Sequence, residues 1–566
     1  MSFCFTFPAE IIDSISGFLS TQDLVSVVLV CRAWNYSFSP SIYRNISLSD
    51  PRQFHRLYSI LAKSSTTNTP FGNYVRNLDI LDGRAIQAGI GQLPVLCPHI
   101  TALKVTQKWA SRVNSIVCVN DGALERTTKA LLHTFVTSNR LNSLSLNFYR
   151  RIDLDILPQL SNLQHLSLGW LNQGISPATL QTIHAQCPLL KILALDGLDR
   201  INEPQQGLTS STLQSLSLHF RKGIQCDEAW LVYISHTYPR LSHLSLEAPA
   251  QYSESVDFAP LLIPSAYHRF ASQAKHLRQL ELIHTIRHKI LIDLLHSYHV
   301  PLASLVLQTK FGFPRDFCDT LFNVFPSLTL LSAQGHPRYR DCNEPVRSLS
   351  NFSTHLRHLN LGQWDTVHLE TILGVLPNLT HLTLQDSILL TGSDCPTYNN
   401  NNSNIIDGDS FTGGSNLESL VLERISLPCD GIVEIRGTCL KHLVLRHCTA
   451  PHQNLKIKLP GVVLSRVEID ELCVGQPVWK SDRVVKSVTI LGSSGSFGQH
   501  ELTKAPSPLE IECESVWKLL VNQKNKYFWL YFQDKLRIFI FICVDYTSVS
   551  DSLPKEKKKE KTIISQ

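Results

Sequence analysis

The sequence has no CxxC pair, no P-loop, no HExxH, no GxSxG and no run of about 20 apolar residues. Phosphate-cradle, zinc-hydrolase and nucleophile-elbow chemistry therefore have no vehicle here, and no membrane span is expected. A charge bias is missing too. The formal net charge is +5, and five Lys against two Glu in residues 554–566 supply most of it, so a nucleic-acid footprint is not indicated. The first 50 residues hold four acids and two bases, which is weakly acidic. The start, MSFCFTFPAEII, lacks a basic leader, and the 15 Cys are odd in number and scattered. This pattern suits a reduced interior in which the thiol serves as a small hydrophobe, and predicts a cytoplasmic or nuclear protein whose Asn-x-Ser/Thr sites stay unmodified. Apolar residues make up 43% and charged residues 17% of the chain, as expected of a folded protein.

What the sequence has in abundance is L-x-x-L-x-L. Clear copies begin at Leu141, Leu163, Leu190, Leu213, Leu241, Leu277, Leu302, Leu328, Leu356, Leu379, Leu417 and Leu440, with weaker ones at Val75, Ile100, Leu464 and Val485. These starts run from 75 to 485 at a mean spacing of about 27 residues, within the range of leucine-rich repeats. In each motif the fourth and sixth residues point to one side of a short strand and enter the core, while the third and fifth face out. Helical patterns lie between the motifs. In SPATLQTIHAQCP (176–188) Ser176 is placed to cap, Pro177 to open the helix, and Leu180, Ile183, His184 and Cys187 to share a face. In LETILGVLP (369–377), Leu369, Ile372, Leu373 and Leu376 do the same. Five helices are expected to stop at a proline two residues before the next motif, at Pro98, Pro188, Pro239, Pro326 and Pro377, because proline cannot continue a helix.

The expected fold is an α/β solenoid, a leucine-rich-repeat horseshoe of about sixteen strand–helix repeats with parallel strands lining its concave side. The Asn/Gly/Ser-rich insertion within 385–416 reads as a tolerated surface insertion. GSSGSFG (492–498) has no helix after it and reads as a linker, not a phosphate loop. Beyond residue 505 the repeat is gone; YFWLYF (527–532) and IFIFICV (538–544) are β-prone and suited to capping the last repeat.

Ahead of the repeats stands FPAEIIDSISGFLSTQDLVSVVLVCRAWNYSFSPSIYRNISL (7–48). Pro8 and Glu10 suit a helix start, and Ile11, Ile12, Ile15, Phe18 and Leu19 form an apolar face. Ser20 or Thr21 can cap a second helix, read as LVSVVLVCRAW (24–34) and apolar nearly all round. So small a segment cannot enclose such a helix, so either the repeats or another protein must cover it. Three blocks in order, Phe7-Pro8-Ala9-Glu10-Ile11, Leu19-Ser20-Thr21-Gln22-Asp23-Leu24 and Val30-Cys31-Arg32-Ala33-Trp34, followed by Ile42-Tyr43-Arg44, resemble an F-box, a small all-α three-helix module. It departs from the family pattern at Phe7, where the pattern has Leu, and at Ile42-Tyr43, where it has Leu-Trp.

The resemblance implies a substrate receptor of Skp–cullin–F-box ubiquitin ligases, which binds the Skp adaptor and, through it, cullin. It also implies that Pro8, Glu10, Ile11, Ile15, Leu19, Leu24, Val30, Cys31 and Trp34 either touch the adaptor or hold the three helices in shape. The receptor would be non-catalytic and need no cofactor; a leucine-rich scaffold acting without the ligase is the alternative. The expected order is an F-box over 1–48, a linker and capping helix over 49–74 (PRQFHRLYSILAK, behind Asp50), repeats over 75–490, and a partly disordered tail over 491–566.

Target recognition is expected on outward strand positions, including His219, His243, Glu247, Glu281, His358, Asn360, His381, Gln385, Glu423, His442 and Arg446, which are polar and of mixed sign. They suit a protein surface better than a polyanion or a membrane, and no target can be named from them. His358 and His381 fall on neighbouring repeats, about 5 Å apart on a strand ladder. Cys439, His442, Cys448 and His452 have loosely zinc-like spacing, but Cys448 occupies the position where this repeat class carries Asn or Cys, so packing is the favoured reading and no metal is expected.

Overall fold

The computed structural model describes residues 8–67, 70–81, 92–106, 140–148, 161–170, 175–199, 201, 209–210, 212–221, 228–248, 265–284, 288–309, 327–335, 355–364, 366–390, 416–426, 432–434, 439–450, 455–470, 473–474, 488–492, 495–496, 509–516, 518–523, 526–533 and 537–544. The chain divides into two units, Met1–Leu307 and Gln308–Gln566.

The first unit opens with three helices, α1 (Ala9–Phe18), α2 (Thr21–Val28) and α3 (Arg32–Arg44). The carbonyl of Pro8 accepts the amides of Ile11 and Ile12 and starts α1. Ser20 and Asp23 form a reciprocal capping box on α2: the Ser20 hydroxyl accepts the Asp23 amide at 3.2 Å, and the Asp23 carboxylate accepts the Ser20 amide at 3.0 Å. The single helix expected across 24–34 is broken. The chain tightens after Val28, where Leu29 and Val30 donate three residues back to Ser26 and Val27, and Cys31 is extended, so Arg-Ala-Trp begins α3 instead of ending α2. Valines restrict helical side-chain rotamers, and the Asn35 amide of α3 folds back 3.2 Å onto the Val28 carbonyl, satisfying a group the broken helix leaves open. Ile12, Leu24 and Phe38 form a three-residue buried core, with Leu19, Val27, Val28, Trp34 and Ile42 packed against it.

α3 runs without a break into β1 (Asn45–Leu48), which pairs in parallel with β2 (Asn77–Ile80). Residues 45–48 lie within the span expected of the F-box and also form the first rung of the repeat ladder. Between these strands lies α4 (Pro51–Ser64). Asp50 caps it by accepting the amides of Arg52 and Gln53 at 2.7 and 2.9 Å, and Phe54, Leu57 and Leu61 are buried beneath it, as the spacing predicts.

The ladder continues through β3 (Ala102–Thr106), β4 (Ser143–Phe148), β5 (His165–Trp170), β6 (Ile192–Leu198), β7 (Ser215–Phe220), β8 (His243–Glu247) and β9 (Gln279–Ile283), every pair parallel. β10 (Ser304–Gln308) pairs with β9. The second unit carries β11 (Leu330–Gln334), β12 (His358–Gly362), β13 (His381–Gln385), β14 (Ser419–Glu423), β15 (His442–Arg446) and β16 (Arg466–Asp470), again parallel and paired in order.

The motif leucines set the register. In every described repeat from Leu141 to Leu440 the first and fourth residues are buried, as is the sixth, and the fourth residues pair with one another from strand to strand. A fixed hydrogen-bond step accompanies them. The carbonyl of the second motif residue accepts two successive amides of the next repeat, as Gln164 does from Lys191 and Ile192, and Arg357 from Thr380 and His381. The helix Pro177–Gln186 starts on Ser176 and buries Leu180, Ile183 and His184, and the helix Leu369–Val375 buries Leu369, Ile372 and Leu373, both as predicted. The junctions at Pro98, Pro188, Pro239 and Pro377 follow helix ends; Pro326 lies outside the described residues.

The eighth motif residue, at the end of the strand or just past it, takes positive φ again and again: Gly197, His284, Gly335, Gln363, Asp386, Arg424 and His447. Only two of these are glycines, so side chains occupy a left-handed turn that glycine adopts without strain.

The repeat at Val485 departs from expectation. Its strand, 488–492, pairs with 509–516 in a separate sheet that also holds 455–464, and GSSGSFG contains a tight antiparallel return of residues 495–496 onto 491–492. The rung after β16 is instead Lys518–Gln523, parallel to it. Two antiparallel strands, Lys526–Gln533 and Arg537–Val544, then close the ladder, the capping role anticipated for these β-prone segments. Residues 391–415 of the long insertion lie outside the described set.

Candidate functional site

Two surfaces collect the residues singled out by sequence. The first is the face of the three N-terminal helices turned away from their small core. Phe18 is 91% exposed, Leu29 77%, Val30 63%, Ile11 46% and Ile15 37%, with Val25 and Tyr36 also open. These large apolar side chains are left open by the described residues of the first unit, which is uncommon on a closed surface. Pro8, Glu10 and Cys31 are exposed beside it.

The other implied residues hold the shape of this module. Leu24 is buried in the core, Leu19 and Trp34 lean against it, and the Trp34 ring sits 5.8 Å from that of Phe38. Phe18 and Leu29, the two most exposed of the module, are not among the implied contact residues: Phe18 belongs to the apolar face expected of α1, and Leu29 falls inside the continuous helix expected over 24–34. An exposed pair, Arg44 and Asp13 at 3.2 Å, fastens the end of α3 to α1, and Tyr43 stacks on Phe71 at 4.7 Å.

The second surface is the outward side of the strands. In the first unit, His219 lies 3.3 Å from Glu247 and within reach of Ser217, and His243 stands 3.7 Å from Glu281. Asp196, one rung before His219, has its carboxyl pushed up by burial, with His219 opposing and Glu247 adding to the rise. The fifth motif position runs Ser145, Ser167, Ala194, Ser217 and Ser245 in register and then meets Glu281, so the floor is low until that rung, with Asp196 and Glu247 at its margin.

In the second unit the third motif position brings His358 and His381 face to face, ring centroids 4.4 Å apart and planes 20° from parallel, as the ladder spacing predicts. Burial, then His381 and Arg357, hold the His358 imidazole below its usual titration range. At the seventh position Gln334 donates to Gln385 at 3.1 Å, and Gln385 to Glu423 at 3.2 Å. The rung between Gln334 and Gln385 is Gly362, and a Cβ there would meet Gln334 at 3.0 Å, so the missing side chain lets the two amides bridge. Arg424 grips Asp386 through two bonds of 2.6 and 2.8 Å, and Arg446 meets Glu468 at 2.8 Å. Asn360 and Glu423 face the same side, half-buried, and His442 is exposed.

Among the described residues no group of three or more His, Cys, Asp or Glu is placed to hold a metal ion. Cys439 and His442 are exposed, whereas Cys448 is buried, its thiol directed at the carbonyls of Leu422 and Arg446 at 3.2 and 3.4 Å. Burial pushes the Cys448 thiol up to about 12, which keeps it protonated and able to donate. Ser387 holds the equivalent place two repeats earlier: its hydroxyl donates to the Gln385 carbonyl at 2.8 Å and accepts the Trp364 amide at 3.1 Å. The L-x-x-L-x-L-x-x-N/C pattern would have exposed Ser387 had Ser been admitted at its last position. No helix among the described residues is long and apolar enough to cross a membrane.

The F-box-like family matches residues 6–49. No curated protein matches the chain. Solved structures similar to it include an internalin of Listeria monocytogenes, 14% identical over 74% of this chain and 89% of that one, with a TM-score of 0.29. A leucine-rich-repeat protein of Leptospira interrogans is 16% identical over 71% and 92%, with a TM-score of 0.30. A chain of the Drosophila Toll–Spatzle complex is 11% identical over 72% and 67%, with a TM-score of 0.35.

Proposed function

The chain joins an F-box-like domain to leucine-rich repeats, two protein-interaction modules, and from that premise we propose that it is the substrate-recognition subunit of a Skp–cullin–F-box ubiquitin ligase. The F-box end binds the Skp adaptor and reaches cullin through it. The outward strand face holds the target, and the ligase's ubiquitin-loaded partner modifies a lysine of that target. The contribution of this chain is proximity: binding both partners raises the effective concentration of one at the other.

The observation that carries this reading is the uncovered apolar patch of Phe18, Leu29, Val30, Ile11 and Ile15. Large side chains desolvated at the centre of an interface supply most of its energy. Val30→Asp and Phe18→Asp place a charge in that patch without touching the core of Ile12, Leu24 and Phe38. Each is expected to abolish co-purification of the adaptor while leaving the helical circular dichroism unchanged. Trp34→Ala is a poorer probe, because the ring also packs on that core. Wild-type chain that never recovers adaptor or cullin would hand the function to the scaffold alternative.

A further inference from the structure

The third motif position of the second unit reads, rung by rung, Leu330, His358, His381, Ser419, His442 and Arg466. From this row we infer that the strip His358–His381–Ser419–His442–Arg466 docks an extended, carboxylate-bearing segment of the target and grips it more tightly as its imidazoles take up protons. The inference rests on the proposal that the outward strand face holds the target and names the chemistry of what it holds.

Adjacent rungs stand about 4.8 Å apart, so the strip offers ring nitrogens and a guanidinium over roughly 20 Å. His358 and His381 stack at 4.4 Å, and the short Ser419 leaves a gap between His381 and His442 where an oxygen can enter beside its hydroxyl. The charged surroundings lean one way. Strand β11 offers Leu330 and no charge; β12 adds Arg357 beside His358; at β13 the Thr380 hydroxyl lies 2.9 Å from the His381 ring. Just before β14 stands Glu418, whose charge couples to both His381 and His442, and Lys441, just before β15, holds it at 2.9 Å. At β16 Glu468 is shared between Arg446 and Arg466, which leaves one positive charge in excess. A proton added to this row therefore meets little negative charge from the protein itself, and an incoming anion supplies it.

The occupant is a run of single carboxylates, not a phosphate. The ionisable groups sit at most one to a rung, on four of the five rungs, which suits single negative charges spread along a chain better than charge gathered at one point. Glu418, coupled to both His381 and His442, repels a compact dianion in that gap about twice as strongly as a single carboxylate. Because His358 is held below its usual range by burial and by its neighbours, a bound carboxylate raises its affinity for a proton, and binding draws protons from solution.

The test uses full-length chain and a fluorescein-labelled decapeptide of alternating Glu and Ser, with Lys/Ser and phosphoserine/Ala peptides alongside. Anisotropy is read between about pH 8 and 6, and calorimetry in two buffers of different ionisation enthalpy counts protons. The Glu/Ser peptide is expected to bind several-fold tighter, up to about tenfold for each proton taken up per pH unit, at the acid end, with net proton uptake. His358→Gln and His381→Gln, both at solvent-facing positions, should each flatten that dependence, while Lys63→Gln on the exposed side of α4 should not. No binding of the Glu/Ser peptide, a pH dependence that survives both substitutions, or preference for the phosphoserine peptide overturns the inference. Adaptor capture is read separately: captured adaptor with an ignored peptide sinks the strip alone, and a titrating peptide with no adaptor sinks the receptor proposal alone.

Discussion

His184 carries a pH dependence of stability that its burial sets. Its ring is buried under the helix Pro177–Gln186, with Nε2 2.8 Å from the Tyr238 hydroxyl, and burial lowers its titration from 6.5 to about 4. The unfolded chain takes up this proton near pH 6.5, the folded chain only near 4, so acidification through that window favours the unfolded state. The contribution is fully present above about pH 6.5, is lost as pH falls toward 4, and amounts to roughly 3 kcal/mol at most. Urea midpoints of the wild type should therefore drop between pH 7 and 5 more steeply than those of His184→Gln, which can still bond to Tyr238. Equal slopes would show the ring to be solvated. The histidine's burial was legible from its place on an apolar helical face; its tyrosine partner, 54 residues away, was not.

At the scale of elements, helices and strands were readable wherever periodicity is strong, and turns were not. L-x-x-L-x-L located the ladder strands because period-two burial leaves no other register. It failed at Asn45–Leu48, where only Ile46 and Leu48 alternate and no leading leucine announces a repeat. It failed again at 488–492, where the pattern fits but the strand joins another sheet. The recurring left-handed turn residue also escaped notice, since Gln363, Asp386, Arg424 and His447 share no chemistry that marks the conformation. Gln363 has φ of 63° and is exposed. Gln363→Gly should relieve the left-handed penalty and, after the extra entropy of glycine in the unfolded chain, stabilise the second unit by roughly 0.5–1 kcal/mol. A lowered melting temperature would mean that the glutamine side chain makes contacts outweighing its strain.

For the molecule as a whole, the N-terminal module and the ladder share residues. The F-box match runs to residue 49, yet Asn45–Leu48 form β1, and Asn77 bonds to Asn45 at 2.6 Å across the first pair. Deleting residues 1–48 thus strips a rung and opens the edge of β2, whereas deleting 1–44 leaves the rung and its cap α4 in place. The shorter deletion should stay monomeric and melt several degrees higher than the longer one by light scattering and differential scanning calorimetry. Identical behaviour would show that β1 contributes nothing to the ladder. The F-box itself was legible from three ordered blocks of residues, but how it joins the repeats was not, because the joint is made by backbone pairing that side-chain patterns do not record.

Arg44 ends α3 and Asn45 begins β1, with no residue between them to act as a pivot. A partner bound at the N-terminal patch, as proposed, would consequently be held at one bearing to the first rungs, and torque on one would be felt by the other. Reach and angle are written into a single peptide bond, so a pair of glycines inserted at 44/45 would turn a rigid bracket into a tether.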